Sequence, residues 1–275
     1  MYKCPVCNER LTKLNNTYKC LKGHSFDINK KGFVNLLLAN QGHSSNPGDS
    51  KEMVDARTNF LNKGYYEELR ELLCKLIDKY IPNTGVFCDL ACGEGYYTHK
   101  IHKYLNTNKD ITSYGVDLSK FAIAEATRKM RVENIKNLNY SIGNLMYLPY
   151  LDKSIDLALN CFAPFFEDEF ARIIKEKGYF IRVLPNEKHM FELKEILYKE
   201  VKLNTRKETS LSKFILIHEE ELVYKKEFND SEDLLSLFKM TPLYYKSNLD
   251  VLEKIKKINK LNLTLGFTVL VYERV

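Results

Sequence analysis

Apolar residues recur along this chain in two periods that take turns. Leu69, Leu72, Leu73, Leu76, Ile77 and Tyr80 fall at helical spacing with one buried face, and Ile81-Pro82-Asn83 ends that helix. Residues 85–90 are a short apolar run of strand length, and residues 96–104 return to a helical pattern. The alternation continues with strands over 113–117, 138–142, 154–160 and 178–184 and helices over 122–131 and 167–175. Strand, helix, strand in that order predicts an α/β domain with a mostly parallel, doubly wound sheet and helices on both faces. Residues 189–203 read as helix, 212–224 as strand-rich, 231–239 as helix and 263–272 as a closing strand. The last strands are expected to form an antiparallel edge.

The first forty residues follow neither period. Their order comes from ligand spacing: Cys4-x2-Cys7, twelve residues, then Cys20-x3-His24. Zinc takes four such donors in a tetrahedron, and two close pairs joined by a hairpin can supply them. Residues 11–18 fit that hairpin, with Asn15-Asn16 at its turn. A segment this short has too little core to fold without a staple. With four protein ligands and no nearby general base, the site reads as structural. The segment also holds Lys3, Arg10, Lys13, Lys19, Lys22, Lys30 and Lys31 against Glu9 and Asp27, which is 7 − 2 = +5 of a whole-chain net charge of +6. That placement favours a polyanion-facing module over a solvated face, although the total alone does not.

Composition narrows the class without choosing a function. The chain has 275 residues, 44% hydrophobic and 28% charged, enough for a normal core and against disorder. No apolar run approaches the ~18 residues of a membrane span. Seven cysteines without an apolar leader predict a reduced, cytoplasmic protein with no membrane partner. Residues 40–50 (Asn-Gln-Gly-His-Ser-Ser-Asn-Pro-Gly-Asp-Ser) have loop chemistry and divide a module over 1–39 from a domain over 51–275. Asp49 or Ser50 can cap the helix that follows.

The chemistry gathers after residue 85. The first strand ends in Asp89, and Ala91-Cys92-Gly93-Glu94-Gly95 turns into a helix. Strand, glycine turn and helix form the nucleotide-binding crossover of doubly wound folds. A second strand ends in Asp117, placed to accept from a ribose diol or else to cap a helix. Asp89 and Glu94 make the turn poor company for a pyrophosphate and better company for a cation such as the sulfonium and amino group of S-adenosylmethionine. Charge therefore favours a methyltransferase over a dehydrogenase, and the absence of a Walker lysine argues against phosphoryl transfer. Asn144 and Leu145, after the third strand, join Asp89, Gly93, Glu94, Gly95 and Asp117 as expected cofactor contacts.

At these residues the chain resembles a family, the bacterial 23S ribosomal RNA guanine-N1 methyltransferases of the large-subunit methyltransferase A type. The four-ligand finger, Asn46-Pro47-Gly48-Asp49-Ser50, Ala56-Arg57 with Phe60-Leu61, Cys92 to His99, Ala163-Pro164, His189 with Glu192-Leu193, and Met240-Thr241-Pro242 carry the resemblance over nearly the whole chain. It implies a zinc-binding module on a Rossmann-like S-adenosylmethionine domain, and methylation of one guanine in a stem-loop of 23S RNA near the peptide exit tunnel. Some members alter macrolide susceptibility, and the family suggests a homodimer whose modules form an RNA cleft. By position, Cys4, Cys7, Cys20 and His24 match its zinc ligands, and Tyr66, Gly93, Glu94 and His189 its cofactor contacts. Ala91 departs from the general methyltransferase pattern, which has its first glycine there.

For such a reaction the guanine must lose its N1 proton and be held in line with the methyl. Phe162, Pro164, Phe165 and Phe166 follow a strand end and are assigned to base placement, with ordinary core as the competing reading. Glu167, Asp168 and His189 are candidate proton acceptors, and a water chain would also serve. Two rival functions stand beside this one. The first is a methyltransferase acting on a small molecule or protein. The second is a zinc-ribbon RNA-binding protein with an inactive methyltransferase domain, against which the intact Asp89, Gly93, Gly95 and Asp117 speak.

Overall fold

The computed structural model describes residues 1–42, 47–198, 200–201, 203–204, 209–241, 243–244 and 247–275. Asn46 and Pro242, two of the residues quoted for the resemblance, lie outside the described residues, as does part of the 40–50 connector. Among the described residues no helix is long and apolar enough to cross a membrane.

The chain opens with a three-stranded antiparallel ribbon, β1 (Thr12–Leu14), β2 (Thr17–Lys19) and β3 (Ser25–Asp27). Its first turn falls at Asn15-Asn16, where Asn15 has a φ of 53°, a conformation asparagine tolerates well. β4 (Val34–Asn35) follows and leaves the ribbon to pair, parallel, with β7 (Leu138–Ile142) of the main sheet. Segment 1–39 therefore lends a strand to the domain it precedes. Two residues of strand carry no readable periodicity, which is why the sequence gives no sign of β4.

Helices α1 (Lys51–Asn62) and α2 (Glu67–Tyr80) come next. Ser50, and not Asp49, caps α1 by accepting from the Met53 N–H. Strands β5 (Thr84–Leu90), β6 (Asp110–Asp117), β7, β8 (Ile155–Cys161) and β9 (Ile174–Pro185) are parallel, linked by α3 (Tyr96–Leu105), α4 (Lys120–Val132) and α5 (Glu167–Ile173). α6 (Phe191–Leu197), β10 (Phe214–Phe228), α7 (Ser231–Lys239), α8 (Leu249–Lys256) and β11 (Leu261–Arg274) complete the chain. The eight-stranded sheet runs β10-β11-β9-β8-β5-β6-β7-β4, with β11 antiparallel to both neighbours, so the expected antiparallel edge is present. The helix expected over 189–203 is shorter, and α8 was not anticipated.

The two faces of the sheet are covered differently. Phe87, Leu157, Leu159, Ile181 and Val183 point toward α2, α3, α6, α7 and α8. The other face, with Cys88, Leu90, Ala158 and Phe180, is covered by α5 and by the ribbon. No helix connects β7 to β8; residues 143–154 are irregular. The ribbon fills that place. Lys3 N–H donates to the Pro149 carbonyl and Leu151 N–H to the Met1 carbonyl. Tyr2, 2% exposed, stacks on Tyr150 at 5.8 Å and meets Tyr18 and Tyr114 edge-on. Where a crossover helix usually covers a parallel sheet, this chain uses its N-terminal ribbon.

Candidate active site and metal centre

In the ribbon, Cys4, Cys7, Cys20 and His24 converge, with all their ligand atoms within 4.8 Å of one another. Cys7 Sγ lies 3.6 Å from Cys20 Sγ, and His24 Nδ1 lies 3.3 Å from Cys20 Sγ and 3.7 Å from Cys4 Sγ. Zinc–sulfur bonds of about 2.3 Å in a tetrahedron put sulfurs about 3.8 Å apart. The donor set and its spacing fit zinc, and Nδ1 is the histidine atom presented.

The second site lies along the carboxyl ends of the parallel strands, where ligands bind in doubly wound sheets. β5 runs into Ala91, φ 66°, then Gly93, φ 54°, and Gly95, φ 83°. A methyl on Gly95 would sit 2.8 Å from Tyr140 Oη and 3.0 Å from His99 Nε2, so only glycine lets α3 start so close to the sheet. Ala91 meets its left-handed backbone with a side chain, at roughly 1–2 kcal/mol.

The three acids of this turn are all engaged. Asp117 accepts from the N–H groups of Gly93 at 2.9 Å and Ser119 at 2.8 Å, pinning the glycine turn to the tip of β6. Ser119, and not Asp117, is the cap of α4. Asp89 is buried and accepts from Thr98 Oγ1 at 2.5 Å; burial, with help from the charges of Asp117 and Glu94, raises its pKa to about 7. Glu94 is buried and paired with Lys129, so the charge expected to attract a sulfonium is neutralised by the chain itself. Its other oxygen, Oε1, has no partner among the described residues. Above the turn sits a residue whose role the sequence reading missed: Arg57 pairs with Asp49 at 2.5 Å, and a Cβ on Gly93 would be 3.5 Å from its Nη1. Asn144 is tied to the connector by donating to the Gln41 carbonyl at 3.0 Å, and Leu145 is half-buried against the ribbon-side core.

Farther along the rim the structure brings Tyr66, Phe162 and His189 together. Tyr66 Oη is 3.4 Å from His189 Nε2, and Phe162, 42% exposed with a φ of 56°, lies over Tyr66 and Phe267. Met190, beside His189, also has a positive φ, 59°. Strained non-glycine backbone of this kind persists where surrounding structure enforces it, often at ligand sites. Gly266 N–H donates to His189 Nδ1 at 3.3 Å, which places the ring proton on Nε2, facing the tyrosine. Burial lowers the His189 pKa to about 3.

Three expectations are corrected here. His189 is a poor proton acceptor, because one nitrogen is occupied and the other carries hydrogen. Glu167 and Asp168 do not reach the rim: Glu167 accepts from Ser212 and from the Lys213 N–H, and Asp168 pairs with Lys213. Lys213 leads into β10 opposite Arg274, level with Tyr179 and Leu157, well below the carboxyl end of β8 at Cys161. Phe165 and Phe166 are half-buried and pack against the ribbon-side core. Phe165 packs 5.3 Å from both Phe170 and Phe180. Pro164 has its carbonyl tied to Asn160.

A parallel sheet with a glycine turn, an acid at each of two strand tips and an aromatic rim is the architecture of an S-adenosylmethionine-dependent methyltransferase. A family profile described as a methyltransferase domain matches residues 83–242, and one described as the N-terminal zinc ribbon of RlmA matches residues 2–45. The chain belongs to the methyltransferase-domain family and carries an RlmA-type ribbon ahead of that domain. It is 25% identical over 283 residues to a putative 23S rRNA (guanine-N(1)-)-methyltransferase, YxjB, of Bacillus subtilis, covering 98% of this chain and 96% of that one. It is 29% identical over 198 residues to a 23S rRNA (guanine(748)-N(1))-methyltransferase of Streptomyces fradiae, covering 71% and 67%. Among solved structures, the Bacillus YcgJ protein superposes with a TM-score of 0.48 at 16% identity, covering 76% of this chain and 99% of that one.

Proposed function

We propose that the chain transfers a methyl group from S-adenosylmethionine to N1 of one guanine in 23S ribosomal RNA, in a stem-loop near the peptide exit tunnel. The observation that carries this reading is the union, in one sheet, of an RlmA-type ribbon and a methyltransferase rim, over the length shared with relatives named for that reaction. In this reading residues 1–39 dock RNA, 40–50 connect, and 51–275 bind cofactor and base. The ribbon's zinc is structural: four protein ligands close the coordination sphere. Lys13 and Lys19 are exposed on the ribbon and meet phosphates. A homodimer would set two ribbons beside a common RNA.

The turn suits the cofactor. Each Asp117 oxygen accepts one backbone N–H and keeps a lone pair, so a ribose diol can add to bonds already made. Gly93 and Gly95 let the backbone approach the ligand, and Tyr66 and His189 wall the methionine end. When bound, S-adenosylmethionine supplies a methyl group activated by its sulfonium. The chain's residues position the acceptor. Phe162 offers a half-exposed ring on which an unstacked base can lie. With His189 held neutral and Glu167 and Asp168 remote, the N1 proton passes to water.

The test is incubation of purified protein with 23S RNA segments and S-adenosylmethionine, then digestion and mass spectrometry of the nucleosides. N1-methylguanosine is the expected product. A methyl group on another atom, or transfer only to a small molecule or protein, would contradict the proposal.

A further inference from the structure

On the β8–β9 side of the sheet, two buried polar atoms have no hydrogen-bond partner among the described residues. Arg182 is 7% exposed. Among the described residues its guanidinium meets no carboxylate; its Nε is buried without an acceptor, and its Cζ lies 4.8 Å from the centre of the Phe165 ring. Next to it in register is Asn160, fully buried. Asn160 spends its Nδ2 on the carbonyls of Leu90 and Pro164, each at 3.3 Å, while its Oδ1 has no donor among the described residues. Residues paired laterally in a parallel sheet share a face, so the two side chains leave neighbouring strands on one face, three residues or fewer from the strand ends.

Each group is destabilising as it stands among the described residues: a buried cation without a counter-charge and a buried amide oxygen without a donor. One ligand that brings an acceptor beside a donor relieves both. A phosphate brings acceptors only. Adenine presents an amino group at the position where the arginine needs an acceptor. Guanine's pairing edge presents O6 next to the N1 and 2-amino hydrogens, and arginine to O6 is a common guanine contact.

We infer that Arg182 donates to O6 of the target guanine and Asn160 Oδ1 accepts from its 2-amino group, so that this pair selects guanine and Arg182 stabilises charge on O6 as N1 is deprotonated. The inference rests on the guanine-N1 reading above. In the step, the N1–H bond breaks and its proton leaves to water. The electron pair on N1, shared with O6 meanwhile, forms the bond to the methyl carbon, and the carbon–sulfur pair stays on sulfur. Arg182 keeps its protons throughout. Stacking on Phe165 holds its plane in place.

The test is single-turnover methylation of a stem-loop carrying guanine or inosine at the target, across pH, with wild type, Arg182→Met, Arg182→Lys and Asn160→Leu. Arg182→Met should lower the rate by about a hundredfold, as loss of an oxyanion donor does, and should move the rise of rate with pH to higher pH. Arg182→Lys should recover part of the loss, and cofactor affinity should not change. Wild type should be about tenfold slower on inosine, which lacks the 2-amino group. Asn160→Leu should treat the two bases alike. An Arg182→Met enzyme with the wild-type rate and pH profile, or a wild type indifferent to inosine, overturns the inference while leaving the guanine-N1 reading intact. A wild type that makes no N1-methylguanosine overturns that reading and this inference with it. If Arg182→Met fails to fold, shown by lost cofactor binding, the inosine comparison on wild type decides.

Discussion

The two halves of the rim are built on opposite plans. Over β5 and β6 each acid has a partner in the chain: Asp117 holds two backbone N–H groups, Asp89 takes the Thr98 hydroxyl, and Glu94 faces Lys129. Over β8 and β9, Asn160 Oδ1 and Arg182 Nε are buried and, among the described residues, have no hydrogen-bond partner. The first half holds its shape by itself and waits for a ligand that adds to bonds already made. The second half is incomplete without its ligand. Acids tied to the chain hold a turn in shape, whereas an unpaired donor and acceptor discriminate, because a wrong partner leaves both groups unpaid for their lost water.

Metal removal tests whether either half needs the ribbon, and it has the largest expected effect. Metal analysis should find one zinc per chain, and Cys20→Ser should abolish it. The ribbon should lose its fold, and RNA binding should go with it. Cofactor affinity should fall far less, because the Gly93 turn hangs on Asp117 and not on the ribbon. A zinc-free protein with an intact ribbon would break the account of that region.

Asp89 tests what the paired half gives up for its compactness. Its folded pKa of about 7 lies above the ordinary carboxyl value of about 4. The folded state therefore binds the proton more tightly than the unfolded one. The stability this adds is full below about pH 4 and is lost as pH rises through 7, up to roughly 4 kcal/mol. Asp89→Asn should thus melt above wild type at pH 8, with the gap narrowing toward pH 5. Melting curves that stay parallel across that range would show that Asp89 is not held protonated.

Asp117→Ala strikes the same half more locally. Two N–H groups lose their acceptor and the ribose loses its own. At roughly 1.5–3 kcal/mol for a bond to a charged group, cofactor affinity measured by calorimetry should fall at least about tenfold. Unchanged affinity would mean that Asp117 serves only the turn. The smallest effect is expected from Ala91→Gly. With a φ of 66° at this position, removing the methyl should relieve about 1 kcal/mol of strain, partly offset by the entropy of glycine. A melting temperature that falls would show that the methyl packs better than it strains.

The two halves also differ in how much of them could be read from sequence. Glycines and strand-end acids announce a turn because few other residues adopt positive φ or sit at strand tips, so Asp89, Gly93, Gly95 and Asp117 were found. The convergence of Cys4, Cys7, Cys20 and His24 was legible because a tetrahedral metal site dictates such spacing. Arg182 was missed because it stands inside an apolar run, Tyr-Phe-Ile-Arg-Val-Leu, where its neighbours read simply as a strand. A charge at an inward position of that run was the available signal. Glu167 and Asp168 misled because they follow Phe162 closely in sequence, whereas the fold ties both to Lys213. β4 was invisible because its strand exists only by pairing with β7.

The division of the rim is tested most directly by measuring, on the same preparations, cofactor affinity and single-turnover methyl transfer at saturating cofactor for Asp117→Ala and Arg182→Met. The account predicts a crossover. Asp117→Ala loses cofactor affinity and keeps most of its rate once saturated, whereas Arg182→Met keeps wild-type cofactor affinity and loses about a hundredfold in rate. Both variants losing affinity and rate together would contradict it, because the rim would then be one network and not two.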